Sequence, residues 1–163
     1  ATIDQWISWL DDYTLEMLCR KPRPGSWSLG QVYMHIADDT QYFIERMRDA
    51  LLNGDNTHKE MHDDAKTLFR NNAFPDMMLE GPATDASVRQ PQSKEELLQS
   101  LTTTKDAAHE LCSAFDLSLA KGKAEHPGLW FFSASEWLQF AEMHMRHHFR
   151  QKKRIDEQLS SGR

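Results

Sequence analysis

The sequence predicts an all-α fold: a four-helix bundle with one long connection between its second and third helices. Three observations lead there. Apolar residues recur at helical spacing in four long stretches. Three of those stretches open on a capping box, a Ser followed three residues later by Glu or Gln. The 163 residues also include only 7 Gly and 6 Pro, too few for a turn-rich all-β chain. A chain of this length can bury a core of its own, so a single domain is expected over residues 1–163.

Helix one is expected from about Thr2 to Cys19, with Ile3, Trp6, Ile7, Leu10, Thr14, Met17 and Leu18 on one stripe. Lys21-Pro-Arg-Pro-Gly25 then stops it. Helix two starts at the capping box Ser28-Leu-Gly-Gln31, with Trp27 placed to staple the first turn, and ends at Asn53-Gly54. Its stripe is Leu29, Val32, Ile36, Phe43, Met47, Ala50 and Leu51, with His35 beside it. Residues 55–93 are polar and contain Gly81-Pro82 and Gln90-Pro91; a short helix fits from roughly Thr57 to Phe69. So long a connection is often functional, and it can act as a crossover that lets helices two and three run parallel. Helix three is expected from Ser93, with Ser93-Lys-Glu-Glu96 as its box, to Leu119, ended by Lys121-Gly-Lys. Helix four begins at Ser133-Ala-Ser-Glu136 and continues to about Leu159.

The formal net charge is −6, which argues against broad binding to a phosphate backbone. The basic run Arg146, Arg150, Lys152, Lys153 and Arg154 reads first as favourable charge near a helix C-terminus. No apolar run approaches the roughly 20 residues that span a bilayer, and no signal-peptide pattern opens the chain, so cytoplasmic residence is expected. Cys19 and Cys112 lie in separate helical stretches and read as free, partly buried thiols.

The chemistry is concentrated in the histidines. His144 and His148 are four residues apart, about 40° around a helix and ~6 Å along it, so both imidazoles leave one face. That face also carries Trp137, Phe140, Ala141 and Ile155, so it should point inward. Paired histidines on a buried stripe need polar partners, and a shared divalent metal satisfies both. His35, on the core side of helix two, is the natural third ligand. His147 falls toward the flank of the stripe and reads as an outer partner or a surface residue. His58 and His62 stand among Lys59, Glu60, Asp63 and Asp64 and read as incidental; His109 and His126 lack partners at a useful spacing. Gln151 and Asp39 sit one turn beyond His148 and His35, where each could take the second ring proton of its histidine.

The run Trp27-Ser-Leu-Gly-Gln-Val-Tyr-Met-His35, followed by Glu136-Trp137 and by His144-x-x-x-His148-x-x-Gln151, resembles the DinB-like (YfiT-like) superfamily. The resemblance covers nearly the whole chain. It implies helices running up-down-down-up, often in a homodimer, and a zinc or nickel site formed by His35, His144 and His148. It also implies a small-molecule substrate: members of that family include thiol S-transferases that use bacillithiol, a mycothiol-dependent isomerase, and many proteins described as metal-dependent hydrolases. Leu129-Trp-Phe-Phe132 departs from the family pattern, which often has a glycine there.

Two kinds of function follow. A metal-dependent enzyme would lower the pKa of a bound thiol or water to generate a nucleophile. Arg46, Arg146 and Arg150 could then hold an anionic cosubstrate, although surface charge is the simpler reading of each. The alternative is a helical bundle that binds metal without catalysis, in a stress-related or structural role. Nucleic-acid binding is disfavoured by the acidic balance and by the lack of a basic face interleaved with aromatics.

Overall fold

The computed structural model describes residues 1–75 and 88–161. It is mostly helical, with a small two-stranded antiparallel sheet that the all-α expectation did not include. In chain order the elements are α1 (Thr2–Trp9), α2 (Leu15–Cys19), α3 (Leu29–Leu52), α4 (Asp63–Asn71), α5 (Lys94–Ala114), β1 (Lys123–His126), β2 (Trp130–Ser133), α6 (Ala134–His147) and α7 (Phe149–Ser161). Helix α3 is the central element: it packs most extensively on α6, then on α5, and also meets α2, α7 and both strands.

The expected first helix is in fact two. After α1 a 3-10 turn, Leu10–Asp12, leads to extended backbone at Tyr13, and Thr14 caps α2 by accepting a hydrogen bond from the Met17 amide. Asp11, Asp12 and Thr14 compete for backbone hydrogen bonds and weaken a continuous helix here. The break also lets the Tyr13 hydroxyl reach Asp156 Oδ1 at 2.9 Å and accept from Lys152 Nζ at 2.7 Å, which ties it to α7. Helix α3 starts as its sequence indicates. Ser28 N donates to Gln31 Oε1 at 3.0 Å and Gln31 N donates to Ser28 Oγ at 3.1 Å. The same two side chains anchor the segment before α5: Ser28 Oγ donates to Gln90 Oε1 and Gln31 Nε2 to the Val88 carbonyl.

Helix α5 stops at Ala114, short of the expected Leu119, because Phe115 turns extended (φ −130°, ψ 139°). Leu119, the expected last residue of that helix, is exposed. The short helix in the long connection begins at Asp63, later than expected, and His62 is its N-cap, with Nδ1 accepting from the Asp64 amide. His62 therefore has a structural role rather than an incidental one. Residues 76–87 of that connection, with Gly81-Pro82, lie outside the described residues. The expected fourth helix is divided at His148 into α6 and α7, although its first turn has the expected Ser133/Glu136 capping box.

Two apolar clusters form the core. One gathers Trp6, Leu10, Leu29, Val32, Tyr33, Ile36, Leu97 and Ile155; the other gathers Phe43, Met47, Phe132, Trp137, Phe140 and Met143. Trp6 locks the first cluster across three helices. Its Nε1 donates to the Met145 carbonyl at 3.2 Å, and its own carbonyl accepts from the Tyr33 hydroxyl at 2.9 Å. Half-buried His126 is stacked against Trp137 of the second cluster, with ring centroids 5.5 Å apart, so this histidine packs on the edge of the core. Cys19 and Cys112 are free; Cys112 is exposed rather than partly buried.

The hairpin meets the end of α3 closely. A Cβ at Gly122 would lie 1.9 Å from the Asn53 carbonyl oxygen and 2.4 Å from that of Ala50, both backbone atoms. Gly122 is thus a contact residue, not the helix terminator the sequence suggested. At Gly54 an added Cβ would meet nothing within 4 Å. Gly122→Ala should therefore cost about 1–3 kcal/mol through overpacking. Gly54→Ala should be neutral, or stabilising by up to about 1 kcal/mol through a stiffer unfolded chain. Urea denaturation of the two variants separates these outcomes.

Candidate metal centre

His35 lies two turns into α3, and His144 and His148 lie at the end of α6. The seam between the two apolar clusters passes through this point. Ile36 and Ala37 belong to the first cluster and Phe43 to the second, while Met143 belongs to the second and Met145 to the first. The close packing of α3 on α6 brings the three imidazoles together across the seam. Their ring centroids are 5.0 Å (His35–His144), 4.9 Å (His35–His148) and 4.7 Å (His144–His148) apart. One donor atom from each lies within 4.8 Å of the other two, so the group could hold a metal ion.

The surroundings are largely apolar. The Trp27 ring lies 5.2 Å from His35, and Phe43 and Phe74 lie 5.4 and 6.2 Å from His144. His144 and His148 are each only 9% exposed. Burial, reinforced by the neighbouring imidazoles, disfavours the imidazolium form. It holds His144 well below the ordinary histidine range and brings His148 down to about 3. His35 is lowered by burial too, opposed by the carboxylates of Asp39 and Asp38. Burial thus favours the uncharged form of all three rings, the state in which imidazole is a ligand.

The hydrogen bonds do not satisfy these rings without a further group. His148 Nδ1 lies 2.7 Å from Gln151 Oε1, an acceptor, so the ring proton sits on Nδ1 and the lone pair on Nε2. That lone pair faces His144 Nε2 at 3.2 Å. If His144 carries its proton on Nδ1, two lone pairs oppose each other and a buried N–H has no acceptor. If it carries the proton on Nε2, the Nδ1 lone pair is stranded, because that atom is buried with no hydrogen-bond partner among the described residues. A cation between the two Nε2 atoms removes the opposition of their lone pairs, while the Nδ1–H of His144 keeps no acceptor among the described residues. The donor set therefore fits a metal: three neutral nitrogens, one already oriented by an outer oxygen as ligating histidines usually are.

The other sequence candidates are distributed around this centre. Gln151 is the partner of His148, the role expected of it. Asp39 stands beside two of the rings, its Oδ1 3.7 Å from His35 Nδ1 and its Oδ2 3.5 Å from His144 Nε2. His147 packs against Phe74 and His148, at 5.4 and 5.3 Å, outside the three-histidine group. His58 and His109 are exposed. Arg146 is engaged by Glu142 and the Asn72 carbonyl, and Arg46 by Asp49, so neither is held toward the imidazoles. Sequence reasoning did not anticipate the aromatic wall of Phe43 and Phe74. Phe43 was assigned to the core stripe of its helix, and nothing in the sequence around Phe74 indicates where the chain turns back. Trp130, in the stretch that departs from the family pattern, has a left-handed φ of 70°, and the tip of the hairpin holds it 53% exposed.

The depressed histidines make a pH prediction for the metal-free protein. Between about 6.5, the value of an unperturbed histidine, and about 3 for His148 in the fold, the unfolded chain binds more protons than the folded one. Folding stability is then complete above this window and falls as pH is lowered through it, by an amount on the order of a few kcal/mol. Urea unfolding of the metal-free protein at pH 7.5 and pH 5 should show the loss, and His148→Gln should flatten the slope.

Of three comparisons with known proteins, one finds a match. A family model described as the DinB superfamily matches residues 1–151, a span that includes His35, His144, His148 and Gln151. Neither the comparison with curated proteins nor that with solved structures finds a match. Among the described residues no helix is long and apolar enough to cross a membrane. The family match covers the chain up to the first residues of α7, and the chain belongs to the DinB superfamily.

Proposed function

We propose that the protein is a metal-dependent enzyme that holds one zinc or nickel ion through His35, His144 and His148 and acts on a small molecule as a thiol S-transferase or a hydrolase. The observation that carries this reading is the unsatisfied convergence of the imidazoles: three donors within 4.8 Å of one another, two of them opposed at 3.2 Å. A divalent ion at that point would supply a Lewis-acid position that lowers the pKa of a thiol or a water. The chain's own residues prepare the site. Gln151 keeps the His148 proton on Nδ1, Phe43 and Phe74 exclude water beside His144, and the rings stay neutral because burial disfavours their charge.

Access favours a reactive centre over a closed structural one. The His35 side chain is 22% exposed and that of Asp39 39%, so the cluster opens to solvent on the α3 side. A structural metal site is usually sealed by four protein ligands, whereas a catalytic one keeps a position for an outside molecule. The reading further includes residence in the cytoplasm, a homodimer, helices running up-down-down-up, and no nucleic-acid or membrane partner. The alternative is a non-catalytic metal-binding bundle.

Two measurements test the proposal. Elemental analysis of protein purified without an affinity tag should find about one transition metal per chain; His144→Ala should lose it and His58→Ala should keep it. Metal retained in His144→Ala would exclude the site. Metal-loaded protein, mixed with a panel of low-molecular-weight thiols and a chlorinated aromatic acceptor, should form a thioether with one thiol. No conjugate with any of them would leave hydrolysis, and no turnover of ester or amide substrates either would leave the non-catalytic alternative.

A further inference from the structure

Asp39 adds to the centre a donor of different charge. It lies one turn beyond His35 on α3, and its two carboxylate oxygens face two different rings: Oδ1 is 3.7 Å from His35 Nδ1 and Oδ2 is 3.5 Å from His144 Nε2. The second contact is the informative one. His144 Nε2 is also the atom that faces His148 Nε2 at 3.2 Å, so the carboxylate approaches the same nitrogen that points into the cluster. Two donors bound to one ion at about 2.1 Å and a tetrahedral angle stand about 3.4 Å apart. Both separations at His144 Nε2 are close to that value; among the described residues the donors that lie within 4.8 Å of one another are those of the three histidines alone, so the carboxylate completes the set by rotating further toward the ion. A carboxylate serving only as an outer partner would instead accept a proton from the ring nitrogen that faces away from the ion. On His144 that nitrogen is Nδ1, and it has no hydrogen-bond partner among the described residues.

We propose that Asp39 is a fourth, displaceable protein ligand of the metal held by His35, His144 and His148. The inference rests on the metal-binding reading above. Three neutral imidazoles leave the charge of a divalent ion uncompensated in an apolar seam, and one carboxylate halves it. A donor set of nitrogen and oxygen without sulfur suits zinc, nickel or iron(II) and disfavours copper(I). Four protein ligands fill a tetrahedral ion, so an outside molecule enters either by a fifth position or by release of one ligand. Asp39 is placed to be the one released, because its side chain is 39% exposed against 22% for His35 and 11% for His144.

Cobalt(II) titration of the metal-free protein tests this, read by the visible absorption bands of the bound ion and by competition with a chelator. The variants are Asp39→Ala and Asp39→Asn, with Asp38→Asn as the control. Asp38 is the adjacent, exposed carboxylate and acts on His35 only through its charge. The expected result is a changed band position and intensity in both Asp39 variants and a loss of affinity beyond the roughly 10–100-fold that removal of an outer partner costs. Asp38→Asn should retain the wild-type bands. Weaker binding with unchanged bands would make Asp39 a positioning residue and overturn the proposal, as would unchanged affinity. Wild-type protein that binds no cobalt would overturn the metal reading itself, so the two failures are distinguishable. Far-ultraviolet circular dichroism of each variant identifies an unfolded protein, and Asp39→Asn, which keeps the shape and polarity of the side chain, retains the test if Asp39→Ala does not fold.

Discussion

The contact between α3 and α6 positions every other functional feature of the protein. His35 comes from one helix and His144 and His148 from the other, and no local interaction brings them together. Packing on both sides maintains the contact. The Trp6 indole donates to the Met145 carbonyl on α6 and the Trp6 carbonyl accepts from the Tyr33 hydroxyl on α3, so one buried residue fastens both helices close to the histidines. On the far side Phe43 of α3 packs against Trp137 and Phe140 of α6. The imidazoles occupy the line where these two groups of contacts meet.

That location accounts for both the cost and the use of the site. An apolar seam holds the histidines neutral, and the buried nitrogens of His144 and His148 lie away from the water that satisfies an exposed ring. Gln151 meets the demand of His148 alone. The opposed Nε2 atoms of His144 and His148 are what a fold retains when the missing partner comes from outside the chain. The contrast with the Tyr13–Lys152–Asp156 group is informative. There a lysine, also 9% exposed, donates to a phenol and a carboxylate and lies over the Trp9 ring, and the group satisfies itself. One polar cluster closes the fold between the α1–α2 break and α7; the other, barely a turn away along the chain, remains open.

The α6–α7 junction shows how little irregularity the site tolerates. His148 closes α6 with helical backbone (φ −74°, ψ −9°), its amide reaching the His144 carbonyl at 3.4 Å, and the Lys152 amide returns to the His148 carbonyl at 2.9 Å. The i, i+4 relation of the two imidazoles, and that of His148 to Lys152, therefore passes through the break. The relation between the ligand pair and Gln151 is retained for the same reason.

Much of this was legible in the sequence, and the reason is periodicity. The capping boxes at Ser28 and Ser133 set the start of α3 and α6, and the apolar stripes set which face of each is buried. Together they put His35, His144 and His148 on inward faces. The helix ends were less legible. The break at Tyr13 combines local competition for backbone hydrogen bonds from Asp11, Asp12 and Thr14 with the tertiary bond of the Tyr13 hydroxyl to Asp156. The hairpin was missed because its strands are four residues each and depend on docking at Gly122 against the end of α3. By itself, then, the sequence determined which imidazoles face inward, since that follows from helical geometry within one segment. Only the tertiary structure decided that they meet at one point, with the carboxylate of Asp39 beside them, because the distance between two helices is set by the side chains packed between them.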